Sequence, residues 1–160
     1  MKKTLLLLGA LGVFASLSAA NAIDVSGNLQ IKAEVVKPLT LTLEALDFGI
    51  VAQGGTKTAA NPGAIKIEGQ EGRNVSISFT SNGVDNNLFA NEVALNHETA
   101  EGQTIVYTPN VTLDGAKLSN STITLTEGSA ELKVGGTVTA AADAALGNYN
   151  TDVVVRVAYN

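Results

Sequence analysis

The 160-residue sequence contains no cysteine. Disulfide staples, thiolate nucleophiles and cysteine metal sites are therefore excluded, and no lipid-bearing cysteine anchor is expected. It also has no tryptophan, three tyrosines and a single histidine. His97 alone supplies neither a His-rich metal site nor a second imidazole for proton relay, and no Gly-x-Ser-x-Gly elbow accompanies it. The neighbours His97 and Glu98 read as a solvated surface pair. Nothing in the spacing of Asp85, Glu92, Glu98 and Glu101 separates a catalytic carboxylate pair from an acidic face. The glycine pairs Gly54-Gly55 and Gly135-Gly136 lack the lysine and strand-to-helix setting of a phosphate loop, so they read as turns or bulges. A non-enzymatic protein without cofactor or metal is the expectation.

Positive charge is scarce as well. Ten basic residues stand against fifteen acidic ones, a formal net charge of −5, and no Lys/Arg cluster offers a surface for nucleic acid or anionic lipid. Beyond residue 22 no apolar run approaches the roughly 20 residues of a membrane helix, so no membrane insertion is expected.

What is present begins with Lys2-Lys3, an apolar stretch from Leu5 to Leu17 and the small-x-small triplet Ala20-Asn21-Ala22. Together they predict a secretory signal peptide over residues 1–22 and an exported chain beginning at Ile23. The remainder is the size of one domain.

The segment from Ile23 to Val35 alternates strictly. Ile23, Val25, Gly27, Leu29, Ile31, Ala33 and Val35 occupy odd positions and polar residues the even ones. A period of two is that of an extended strand with one apolar and one wet edge. Its 13 residues would span about 43 Å, well beyond an ordinary strand of about five or six residues. Pro38 closes this extension, residues 23–36, because proline cannot donate to a ladder, and a domain over 37–160 follows.

That domain has the composition and patterning of an all-β fold. Strands are predicted at Leu39–Leu43, Asp47–Val51, Gly63–Gly69, Asn74–Thr80, Glu92–Asn96, Thr104–Thr108, Val111–Leu113, Thr122–Thr126 and Glu131–Thr139. Ser81–Asn91 reads as a polar surface loop, Pro109-Asn110 as a bend, Asp114-Gly115 as a tight turn, and Ala140–Ala145 as one helical turn. The last strand runs from Tyr149 to Tyr159, with Tyr149, Thr151, Val153, Val155, Val157 and Tyr159 on one face. Short strands with turn signals about every ten residues predict a two-layer sandwich.

The two ends carry a resemblance. An exported all-β chain with an alternating N-terminal extension, a glycine at Gly147 fourteen residues from the end and the penultimate Tyr159 resembles the subunits of chaperone–usher fimbriae. The run from Pro38 through Leu43 to Asp47-Phe48-Gly49 is similar to the opening of cysteine-free fimbrial-type domains. The resemblance implies an immunoglobulin-like β-sandwich lacking its last strand, with a groove beside the C-terminal strand. It further implies that a periplasmic chaperone occupies the groove first, that an outer-membrane usher exports the subunit to a cell-surface fimbrium, and that the extension of a second subunit replaces the chaperone. On that basis Ile23, Val25, Gly27, Leu29, Ile31 and Ala33 are the donor positions. Gly147, Tyr149, Val153, Val155, Val157 and Tyr159 mark the acceptor strand, and Gly27 suits a shallow pocket. The partners implied are other copies of the chain or related pilin subunits. The alternative is a monomeric secreted binding module in which the extension pairs with its own C-terminal strand.

Overall fold

The structure, a computed structural model, describes residues 26–81 and 83–160. The chain divides into two units, Met1–Glu34 and Val35–Asn160. In the first, residues 26–34 are exposed and belong to no helix or ladder, and Ile23 and Val25 lie outside the described residues. All strands among the described residues belong to the second unit.

Among the described residues there are twelve strands: β1 (Thr40–Glu44), β2 (Thr56–Thr58), β3 (Gly63–Glu68), β4 (Asn74–Ser81), β5 (Val84–Asn86), β6 (Val93–His97), β7 (Thr104–Leu113), β8 (Ala116–Lys117), β9 (Thr122–Thr124), β10 (Ser129–Thr139), β11 (Tyr149–Asn150) and β12 (Val153–Tyr159). They form a β-sandwich of two antiparallel sheets. The larger runs β1-β3-β10-β7-β6-β11, with β2 beside β10 and β8 beside β7; the smaller runs β12-β4-β5, with β9 also on β4.

Period-two patterning decides which side chains fill the space between the layers. In β4, Val75, Ile77, Phe79 and Ser81 are buried while Asn74 and Ser78 face water. Ile65 and Ile67 of β3, Tyr107 and Val111 of β7 and Leu132 of β10 meet them from the opposite layer. A smaller cluster of Ile105, Val138, Ala140 and Ala144, with Phe48, Val51, Leu95 and Tyr149 against it, extends the core to one end.

Several expectations are corrected. The bend predicted at Pro109-Asn110 is absent, because β7 runs unbroken from Thr104 to Leu113. Pro109 sits opposite Gly136, whose φ of +131° brings the two backbones too close for a Cβ. Ser81–Asn91 is not a plain surface loop: β5 pairs with β4, and Leu88 and Phe89 are buried, the Phe89 ring 5.2 Å from that of Phe79. Asp47–Val51 forms only an isolated bridge from Asp47 to Asn61. Ala140–Ala145 makes a turn closed by Ala144 N–H to the Ala141 carbonyl, without a helix. The tight turn at Asp114-Gly115 is present, both residues having positive φ between β7 and β8.

Candidate functional site

The C-terminal stretch does not form one strand. Tyr149 and Asn150 pair with β6 in the larger sheet, whereas Val153–Tyr159 pair with β4 in the smaller one. Thr151 and Asp152 carry the chain across the gap between layers, because both flanks are fixed in register on different sheets. Tyr149 therefore does not share a sheet face with Val153, Val155, Val157 and Tyr159. The latter four are half-buried and continue the core-facing row.

β12 lies at the edge of its sheet, with β4 as its single partner among the described residues. Facing it across the interlayer space is the edge of the larger sheet, β1, followed by residues 45–51. The ladder places Leu41 opposite Ile67 and Leu43 opposite Ile65, so both leucines point to the core side. They nevertheless remain 37% and 51% exposed. Between these two edges lies a cavity of about 1040 Å³. Phe48, Phe79 and Tyr107 form its floor, and Tyr149, Val153 and Val155 one wall. The Phe48 and Tyr107 rings meet edge to face at 5.5 Å. The Tyr107 hydroxyl donates to the Gly135 carbonyl at 2.7 Å, and burial pushes its phenol up to about 12. Such a slot exposes core-facing apolar surface along an unpaired sheet edge, and a ladder-forming segment with alternate apolar side chains satisfies both at once.

The two ends of the slot differ. At the end of β12 the Tyr159 hydroxyl donates to the Lys37 carbonyl at 2.6 Å and accepts from Gln70 N–H at 2.7 Å. This latch fastens the chain entering the domain to its last strand, and it leaves Gly69 no room for a Cβ against that hydroxyl. At the start of β12 the slot is open, and Ile50 and Leu146 stand on its two rims.

The open end is buckled by His97. Its Nδ1 accepts N–H bonds from Thr99 at 3.1 Å and Ala100 at 2.9 Å, so the ring carries its proton on Nε2, which donates to the Leu146 carbonyl at 3.0 Å. Tyr149 packs edge to face on the imidazole at 4.8 Å. Glu98 holds the amides of Asn148 and Asn150 at 3.3 and 3.0 Å. Gly147, at φ +148°, lies against the His97 ring, where a Cβ would collide. The expectation of a solvated His97-Glu98 pair is thus replaced by a structural buckle, whose partners at Leu146, Asn148 and Asn150 lie some fifty residues away in sequence.

Of the acceptor positions read from the sequence, Gly147, Tyr149, Val153 and Val155 line the cavity, while Val157 and Tyr159 lie beyond it toward the latch. The donor positions Gly27, Leu29, Ile31 and Ala33 are exposed, Leu29 and Ile31 at 85% and 87%. Sequence reasoning missed Phe48 and Tyr107 on the slot floor, and Ile50 and Leu146 on the rims of its open end. The alternation of Leu39, Leu41 and Leu43 marked the opposite wall as a strand without marking it as an edge. Among the described residues no group of three or more His, Asp or Glu is placed to hold a metal ion, and no helix is long and apolar enough to cross a membrane.

No curated protein matches the chain. A family model matches residues 12–159, nearly the whole sequence, and the chain belongs to that family, the domain of unknown function DUF4402.

Proposed function

We propose that this protein is a structural subunit of a surface fimbria, and that it polymerises when the alternating segment of one copy adds to the β12 edge of another. The observation that carries this reading is the pairing of an open, apolar-floored slot along β12 with an exposed segment of matching period in the same sequence. Main-chain bonds to β12 supply affinity, and Leu29 and Ile31, inserted between the layers, supply burial of about 1.5–3 kcal/mol each before ordering costs. Completed in this way, the sandwich is immunoglobulin-like with its last strand given by a neighbour. A slot left open during export is prone to aggregation, which is the reason for a periplasmic chaperone and an outer-membrane usher as earlier partners.

Electron microscopy and sedimentation of the exported chain test this reading. The wild type is expected to form linear polymers, and Leu29→Asp/Ile31→Asp to remain monomeric with an unchanged circular dichroism spectrum. A double variant that polymerises as well as the wild type would sink the proposal.

A further inference from the structure

The donated segment has more apolar positions than the slot has places for them. Odd positions from Ile23 to Val35 number seven, whereas β12 presents four core-facing residues, Val153, Val155, Val157 and Tyr159. A seven-residue ladder spans about 23 Å, so part of the segment must lie beyond it. Strand direction fixes the end at which each surplus emerges. Every ladder among the described residues is antiparallel. A strand antiparallel to β12 enters at Tyr159 and leaves at Val153; with Val25, Gly27, Leu29 and Ile31 in the four places, the surplus of three divides, Ile23 falling before Tyr159 and Ala33 and Val35 emerging at the open end.

Ile50 and Leu146 stand at that end. Apart from Val35 at 96%, they are the most exposed large apolar residues of the Val35–Asn160 unit, at 91% and 82%. Both are held by the backbone: Lys57 Nζ donates to the Ile50 carbonyl at 2.9 Å, and His97 Nε2 to that of Leu146. Two apolar side chains presented on pinned rims, in line with two surplus apolar residues, form a complementary pair of surfaces.

Building on the donor-strand reading, we propose that Ile50 and Leu146 form a seat for Ala33 and Val35 of a second copy, giving the copies a contact outside the ladder. The seat lies at the start of β12, and the chain enters its own domain beside Tyr159 at the other end. Within the Val35–Asn160 unit the seat and the chain entry at Lys37 thus lie at opposite ends of β12, and a contact between the seat of one copy and the segment preceding Lys37 of another is heterologous, extending into a filament rather than closing into a reciprocal pair.

The test uses the full chain carrying Leu29→Asp/Ile31→Asp, which keeps the slot but cannot donate, titrated with synthetic peptides of residues 23–32 and 23–36. The longer peptide is expected to bind about tenfold more tightly. Adding Ile50→Ser/Leu146→Ser should abolish that advantage while leaving the affinity of the shorter peptide within about twofold, since both side chains lie outside the ladder. Equal binding of the two peptides to the intact rims overturns the seat and leaves donation standing, as does equal weakening of both peptides by the serine pair. Failure of both peptides to bind the intact slot overturns donation and the seat together.

Discussion

Truncating Leu29 and Ile31 to alanine should have opposite consequences in the isolated and the assembled protein. In the isolated chain these side chains are 85% and 87% exposed, so their removal takes almost no apolar area from a buried state. The expected change in thermal midpoint is below about 1 °C, in line with ordinary surface substitutions. In the proposed assembly the same residues would lie over Phe48, Phe79 and Tyr107 of the slot, where Leu or Ile to Ala costs at least about 2 kcal/mol each. Together that is about 4 kcal/mol per contact, or roughly a thousandfold in the dissociation constant. Calorimetry on dilute monomer and sedimentation velocity across a concentration series separate the two terms. A monomer midpoint lowered by about 10 °C, the value 4 kcal/mol implies at this chain length, would show the pair seated in its own domain and refute donation. Unchanged assembly would refute the slot as the receiving site.

Three further outcomes follow from the geometry around the slot. Gly147→Ala, forced to φ +148° against the His97 ring, should destabilise the monomer by about 1–3 kcal/mol; His97→Ala in the same chain should return part of that loss in a double-mutant cycle read by urea unfolding. Tyr159→Phe removes a donor to Lys37 and an acceptor for Gln70, costing about 1–2 kcal/mol, and hydrogen exchange should accelerate at Gln70 while the β3–β10 ladder stays protected. Tyr107 titrates near 12 in the folded protein against about 10 unfolded. The folded state therefore binds the proton more tightly, and stability present below pH 10 is lost at up to about 1.4 kcal/mol per pH unit between pH 10 and 12. Tyr107→Phe should be less stable at neutral pH by the lost bond to Gly135 and should lose this part of the alkaline decline. A midpoint that falls equally steeply for both proteins would assign the alkaline loss to other groups.

The layers were legible where burial is one-sided. Val75, Ile77 and Phe79, or Ile65 and Ile67, are spaced by two because one face of each strand meets the core, and local periodicity records that directly. Pro109 misled for the converse reason, since the feature that admits it to a strand, Gly136 on β10, lies 27 residues away and leaves no mark near the proline itself. Phe89 misled because its anchor, Phe79, lies across a hairpin whose surrounding residues are polar.

The candidate site shows the same division. The core-facing residues of β12 and the extension were readable because each keeps a period of two over many residues. The break between Tyr149 and Val153 was not, because alternation continues through Thr151 even as the chain leaves one sheet for the other. Parity is conserved across such a crossing while sheet membership is not, so period alone extends the strand by four residues. That difference matters for the donor-strand proposal: an unbroken Tyr149–Tyr159 strand would offer six places, five of them apolar or aromatic, enough for nearly the whole extension. The observed β12 offers four. On the donor-strand proposal the shortened ladder would send Ala33 and Val35 past the end of β12, and it is the buckle of His97, Glu98 and Gly147 that shortens it, by holding residues 146–150 on the larger sheet.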